Sequence, residues 1–142
     1  MQKIITSGAT LLIILAMLTS CATDDNVLWA QNLKVSDVSR IEAVRMPAMY
    51  NERYKDFEET DFDRIVEIIN NSKGKRINNP EGINGGCITF YITTTDGARH
   101  TFSNNGNTYL VIDGVSFDAG YDWLSTWGEE TLNDKVPDGF EY

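Results

Sequence analysis

The apolar residues in the middle of the chain recur at two periods, which predict strands on either side of one helix. Apolar and polar residues alternate from Val38 to Met46 with one slip, and Pro47 ends the run. A looser alternation within residues 51–59 marks a short second strand. Because successive side chains of a strand point to opposite faces, both segments are predicted to be strands and are candidates for a hairpin.

A helix follows in the segment that begins near Thr60. Four apolar residues lie on one stripe of a helix: Phe62, Ile65, Val66 and Ile69. Thr60 and Asp63 resemble a capping box at its start, while Lys73 and Gly74 are ordinary stop signals. The spacing predicts an amphipathic helix that packs one face on a sheet.

After a polar loop over residues 76–86, the chain alternates again from Cys87. Three turn signals divide this part into strands: Asp96-Gly97, the run NNGN at 104–107, and Asp113-Gly114. Asx-Gly pairs supply the positive φ angles that tight hairpin turns require. The pattern predicts a meander of antiparallel strands.

The last part of the sequence predicts less structure. Four residues lie close together on a segment that predicts a short helix starting near Asp122: Tyr121, Trp123, Leu124 and Trp127. From Asn133 onward the chain resembles a loosely ordered tail. Together the elements predict an α+β fold, with an antiparallel sheet of about four to six strands in a meander, one main helix on one face and a short C-terminal helix.

The start of the chain has a different pattern, in which Lys3 precedes an apolar run from Ile4 to Leu18. That layout is typical of a secretory signal peptide, since the run is shorter than the ~20 apolar residues that span a bilayer. The motif Leu18-Thr19-Ser20-Cys21 resembles the lipobox of bacterial lipoproteins. The resemblance implies that Cys21 is diacylated through its sulfur, that residues 1–20 are removed, and that the protein is anchored on the extracytoplasmic face of a cell membrane.

Removal of residues 1–20 leaves a chain of one domain. Residues 21–34 are largely polar and predict a tether, which is followed by a single α+β domain over 35–142. The layout resembles small bacterial lipoproteins that carry a compact helix-and-meander domain. Ala22 stands where an aspartate retains such proteins in the inner membrane of enteric diderms, so an outer-membrane location is open in a diderm cell.

The chain is acidic, with 21 Asp and Glu against 12 Lys and Arg and a formal charge of −9. Loss of Lys3 with the signal peptide takes the mature chain to about −10 by the same counting. Such a surface repels nucleic acid and anionic lipid headgroups. We therefore expect no nucleic-acid partner, and we expect acyl chains, not electrostatic attraction, to hold the protein at the membrane.

Candidate catalytic and metal-binding residues are few. His100 is the single histidine and is expected to be partly buried beside Phe102. Cys87 has no partner in the chain if Cys21 carries lipid, whereas without lipid a disulfide between the two is open. The sequence has neither a nucleophile elbow nor the ligand spacing of a zinc site, so we predict no catalytic residue, no metal and no cofactor.

An outward row of polar and aromatic residues is the remaining candidate for function. Five residues are predicted to share this face of the meander: Thr89, Tyr91, Thr93, Arg99 and Thr101. We predict partner binding by Tyr91 and Arg99, and by Trp123 and Trp127 of the C-terminal segment, although a solvated sheet face has the same pattern.

The predicted function is a membrane-anchored, non-enzymatic binding or accessory domain that contacts a protein or a small ligand. Two alternatives stay open. One is an extracytoplasmic hydrolase or redox enzyme, and the other is a structural protein of the envelope.

Overall fold

The structure is a computed structural model that describes residues 23–46, 52–80, 86–105, 109–119 and 132–142. Within these ranges eight strands form one antiparallel sheet: β1 Val38–Met46, β2 Glu52–Asp56, β3 Lys75–Ile77, β4 Cys87–Thr94, β5 Arg99–Asn105, β6 Tyr109–Ile112, β7 Val115–Asp118 and β8 Asp134–Lys135. Two helices accompany them: α1 Asp25–Asn32 and α2 Glu59–Asn70. The predicted α+β class with an antiparallel sheet is therefore confirmed.

The strands follow the order β3-β7-β6-β5-β4-β1-β2-β8 across the sheet. Strands β4 to β7 pair in sequence order and form the predicted meander. Between β6 and β7, Asp113 and Gly114 have φ angles of 48° and 78°, as a two-residue hairpin turn of this kind requires. Strands β1 and β2 form the N-terminal hairpin, and β1 also pairs with β4.

The predicted number of strands is wrong, because the sheet has two additional short edge strands. Strand β3 overlaps the segment predicted as a polar loop over 76–86, and it pairs with β7. Strand β8 lies in the tail predicted to be loosely ordered, and it pairs with β2. Both strands are short and rich in charged residues, so they lack the apolar alternation from which a strand is predicted.

Helix α2 buries its predicted stripe. All four stripe residues belong to one core: Phe62, Ile65, Val66 and Ile69. Phe90 and Phe102 of the central strands are fully enclosed in the same core. The predicted capping box is wrong, because the helix begins at Glu59 and places Thr60 inside its first turn. The side chain of the N-cap residue, Glu58, makes no capping hydrogen bond.

Helix α1 corrects the tether predicted over 21–34. The Asp24 carboxylate caps this helix by accepting a hydrogen bond from the backbone N–H of Asn26. Three apolar residues of this segment are buried in the same core as α2: Val27, Ala30 and Leu33. Within the described residues, the folded domain therefore includes the segment from Asp24 to Leu33. The pattern did not predict this helix, because a short helix needs apolar residues at only every third or fourth position. The polar residues between them resemble those of a linker.

Several predicted features lie outside the described residues. They are the signal peptide over 1–20, the lipid-bearing Cys21, and the C-terminal helix near Asp122 with Trp123 and Trp127. In the described ranges, no helix is long and apolar enough to cross a membrane.

Candidate functional site

One face of the sheet carries a row of charged residues opposite the helices. The register aligns Arg40 of β1, Thr93 of β4 and Arg99 of β5 across three neighbouring strands. In an adjacent row Glu42 lies opposite Tyr91. Because residues at alternate positions share a face, both rows point away from the core that the helices cover.

Glu42 is the buried centre of this face, with 4% of its surface exposed. The Tyr54 hydroxyl donates a hydrogen bond of 2.7 Å to its carboxylate. The guanidinium groups of Arg40 and Arg99 lie 3.2 and 3.7 Å from the same carboxylate. A buried carboxylate is tolerated where paired charges and hydrogen bonds replace its water. These three neighbours supply that replacement.

The end of the chain, residues 136–142, lies over this face, and we call it the C-terminal strap. The Phe140 ring packs edge-on against Tyr91, with ring centroids 5.0 Å apart. The Arg99 guanidinium lies 4.5 Å from the centre of the Tyr91 ring and 5.0 Å from that of Phe140. Arg99 also donates a hydrogen bond of 2.9 Å to the backbone oxygen of Glu141. Arg99 therefore joins the strap to the sheet.

A cleft with a volume of about 400 Å³ lies between the C-terminal strap and strands β1, β4 and β5. We call it the strap cleft, and its lining is Arg40, Glu42, Thr93, Arg99 and the strap residues 137–141. The side chains of Arg40 and Arg99 are 50% and 31% exposed. Arg40 is bound to Asp56 through Nε and Nη2, and its Nη1 has no partner among the described residues. The cleft can therefore donate hydrogen bonds to carbonyl or carboxylate oxygens.

Of the four predicted binding residues, Arg99 and Tyr91 lie in the described ranges and contact each other, whereas Trp123 and Trp127 lie outside the described residues. Arg99 lines the cleft, as its place on the outward face predicts. Tyr91 is on the same face but is only 5% exposed, because the strap covers it. The expectation that Tyr91 offers an open contact is therefore corrected.

Sequence reasoning missed Arg40 and Glu42. They alternate with Ile41 and Ala43, which are fully buried on the other side of β1. The alternation was thus a signal that both charged residues share the outward face. The strap residues that lie over Arg40 and Glu42 could not be predicted in the same way, because the strap has no regular apolar period.

Burial is the first cause of three raised pKa values in this part of the sheet. Burial, followed by the hydrogen bond to Glu42, raises the pKa of Tyr54 well above its ordinary range. Burial also raises the pKa of Tyr91 and of the Cys87 thiol, which is free and half-buried at the start of β4. Each group is therefore held in its neutral form by the fold.

We predict that the domain loses stability as the pH rises above about 9 to 10. The unfolded chain releases these protons at a lower pH than the folded chain, so the stabilisation is complete below the unfolded pKa values. It is lost as the pH rises through the higher folded values. Urea unfolding between pH 8 and pH 11 measures the loss, and Tyr54→Phe is expected to flatten it. Equal pH dependence in the variant and the parent would contradict this assignment.

A second concave surface, with a volume of about 380 Å³, lies where α1 meets the hairpin of β4 and β5. Here Trp29 stacks on the His100 ring with centroids 3.8 Å apart. The Asp113 carboxylate lies 2.9 Å from Nδ1 of His100. This contact fixes the orientation of the imidazole through Nδ1, and Nε2 is the ring nitrogen that Asp113 does not contact. Of the two threonines that line this surface, Thr94 already donates its hydroxyl to Asp96.

The described ranges contain no group of three or more His, Cys, Asp or Glu placed to hold a metal ion. No protein-family model matches this chain, and the searches of curated proteins and of solved structures also give no match.

Proposed function

We propose that this chain is a bacterial lipoprotein, anchored by acyl chains on Cys21 to the extracytoplasmic face of a cell membrane, and that its domain binds a partner without catalysis. The lipobox motif supports the anchor, and the acidic charge of −9 supports acyl chains over electrostatic attachment. An outer-membrane location belongs to the same proposal where the cell is a diderm.

The observation that carries the binding role is the convergence of two arginines on the strap cleft. Arginine and aromatic side chains provide most of the binding energy in protein interfaces, because they combine a large contact area with directional donors. Arg40 lines the cleft half-exposed. Arg99 is positioned by two aromatic rings and already holds one backbone carbonyl, that of Glu141. A protein partner that presents further carbonyl or carboxylate oxygens fits this surface.

The lining of the strap cleft favours binding over catalysis. Its one buried acid, Glu42, accepts from Tyr54 and is flanked by both arginines. The hydrogen bond and the two ion pairs occupy this carboxylate, and it in turn holds both guanidinium groups in place at the cleft. The cleft therefore suits recognition of a partner.

A photo-crosslinking amino acid at Thr93 tests the proposal in living cells that carry the full-length chain. We expect one dominant protein adduct, because Thr93 lines the cleft between the two arginines. The matched control is the same probe at Glu67, which is exposed on α2. Adducts that are equally varied at both positions would contradict a binding role for this face.

A substitution of Arg40 tests whether this arginine belongs to the binding surface. In the chain with the probe at Thr93, Arg40→Ala is expected to lower the adduct yield by about tenfold, as loss of ~1.4 kcal/mol of binding free energy would do. Arg64→Ala on α2 removes an arginine with a comparable side-chain exposure of 47% and is expected to leave the yield unchanged. Equal yields from both variants would remove Arg40 from the binding surface.

A further inference from the structure

Helix α1 begins very close in the sequence to the proposed lipid attachment point. Two residues, Ala22 and Thr23, separate Cys21 from Asp24, the N-cap of α1. Three steps along the chain span at most ~11 Å even when fully extended. The start of α1 therefore lies within about that distance of the membrane surface.

The start of α1 is fixed to one side of the sheet. The Asp24 carboxylate forms an ion pair of 3.2 Å with Arg76 of β3. The Asn26 side-chain amide donates a hydrogen bond of 3.1 Å to the backbone oxygen of Ile112 at the end of β6. Strand β3 is the edge of the sheet, and β7 and β6 are the strands beside it. We call the surface formed by Asp24, Asp25 and residues 73–78 the anchor edge.

The strap cleft lies over strands that are three to five positions away from β3, from β5 with Arg99 to β1 with Arg40. Five strand spacings separate β3 from β1, which carries Arg40. Neighbouring strands are ~4.8 Å apart, so this distance is about 24 Å. That distance is roughly twice the reach of the residues between Cys21 and Asp24.

The charges also distinguish the anchor edge from the rest of the domain. Six charged residues lie on it or directly beside it: Lys73, Lys75, Arg76, Asp24, Asp25 and Asp118. The three basic and three acidic residues balance, so the net negative charge of the chain resides elsewhere. Anionic headgroups repel the acidic remainder of the domain. The anchor edge is therefore the part of the surface that approaches the headgroups with the least electrostatic repulsion.

We propose that the anchor edge contacts the headgroup surface of the bilayer, so that the sheet stands on its β3 edge and holds the strap cleft away from the membrane. This inference rests on the proposed lipidation of Cys21. It adds an orientation: a partner reaches the cleft from the aqueous side without competing with the lipid surface.

Two exposed asparagines at opposite edges of the sheet provide a matched pair of probe positions. Asn78 follows β3, and Asn133 precedes β8. A fluorescent amino acid is placed at one or the other in the lipidated chain, which is then reconstituted in phosphatidylethanolamine–phosphatidylglycerol vesicles with nitroxide-labelled headgroups. We expect several-fold stronger quenching at Asn78 than at Asn133.

A longer segment between Cys21 and Asp24 tests whether the short connection sets the orientation. Twelve Gly and Ser residues inserted between Ala22 and Thr23 form a coil that spans roughly 20 Å. We expect this insertion to remove most of the difference between Asn78 and Asn133. Persistence of the full difference would show that the short tether does not set the orientation, and would overturn this part of the inference.

The remaining outcomes separate the orientation from the anchor itself. If the intact mass shows lipid on Cys21 but the probes at Asn78 and Asn133 are quenched equally, the orientation is overturned and the lipoprotein proposal stands. If Cys21 carries no lipid and the chain does not float with the vesicles, both are overturned.

Discussion

Replacement of Val27 by aspartate is expected to lower the free energy of unfolding by roughly 4 kcal/mol. Val27 lies on α1 and is 1% exposed within the core that also holds α2. An aspartate there places a carboxylate among the apolar side chains of this core, where it loses its water. Urea unfolding of the processed chain at neutral pH measures the change.

The next residue supplies the control. Leu28 is 41% exposed on the same helix, and Leu28→Asp introduces the same charge one position away. We expect its effect to stay within about 0.5 kcal/mol, as is usual for surface substitutions. If Val27→Asp were as harmless as Leu28→Asp, α1 would not pack in the core, and the short tether on which the membrane orientation depends would be lost.

Gly74→Ala is expected to cost about 3 kcal/mol and to loosen the anchor edge. Gly74 precedes β3 with a φ of +144°, and a Cβ there would lie 2.7 Å from the Asp118 backbone oxygen and 2.9 Å from Cβ of Phe117. Both contacts belong to β7, the strand with which β3 pairs. The substitution therefore forces the edge strand away from its only neighbour in the described sheet.

Gly97→Ala is the control variant, because it strains the backbone at a positive φ without introducing a steric clash. Gly97 also has a positive φ, of +88°, but no atom lies within 4 Å of the place where a Cβ would stand. We expect a cost of about 1 kcal/mol, from backbone conformation alone. Thermal or urea unfolding compares the two variants, and similar losses would contradict the close approach between Gly74 and β7.

The central strands and α2 were predictable because their order is local. The stripe that begins at Phe62 has the helical period, and the turn at Asp113 and Gly114 needs the positive φ angles that the dipeptide supplies. Neither inference depends on which distant residue lies alongside. The same local signals placed Arg99 on the outward face.

The parts that were missed depend on contacts between distant positions. The ion pair of Asp24 with Arg76 joins residues 52 positions apart, and the hydrogen bond from Arg99 to Glu141 joins residues 42 apart. Periodicity contains no information about such pairs. For this reason α1 resembled a tether, the strap resembled a loose tail, and the burial of Tyr91 beneath Phe140 was not foreseen.

We propose that Cys21 carries the lipid that holds this domain at a membrane. Mass spectrometry of the N-terminal peptide tests it most directly, on the full-length chain expressed in a bacterium and purified from the membrane fraction. We expect a peptide that begins at Cys21 and carries the added mass of a diacylglyceryl group, and we expect Cys21→Ala to abolish both the cleavage and the added mass. A chain that begins at another residue, or a Cys21 with a free thiol, would contradict it.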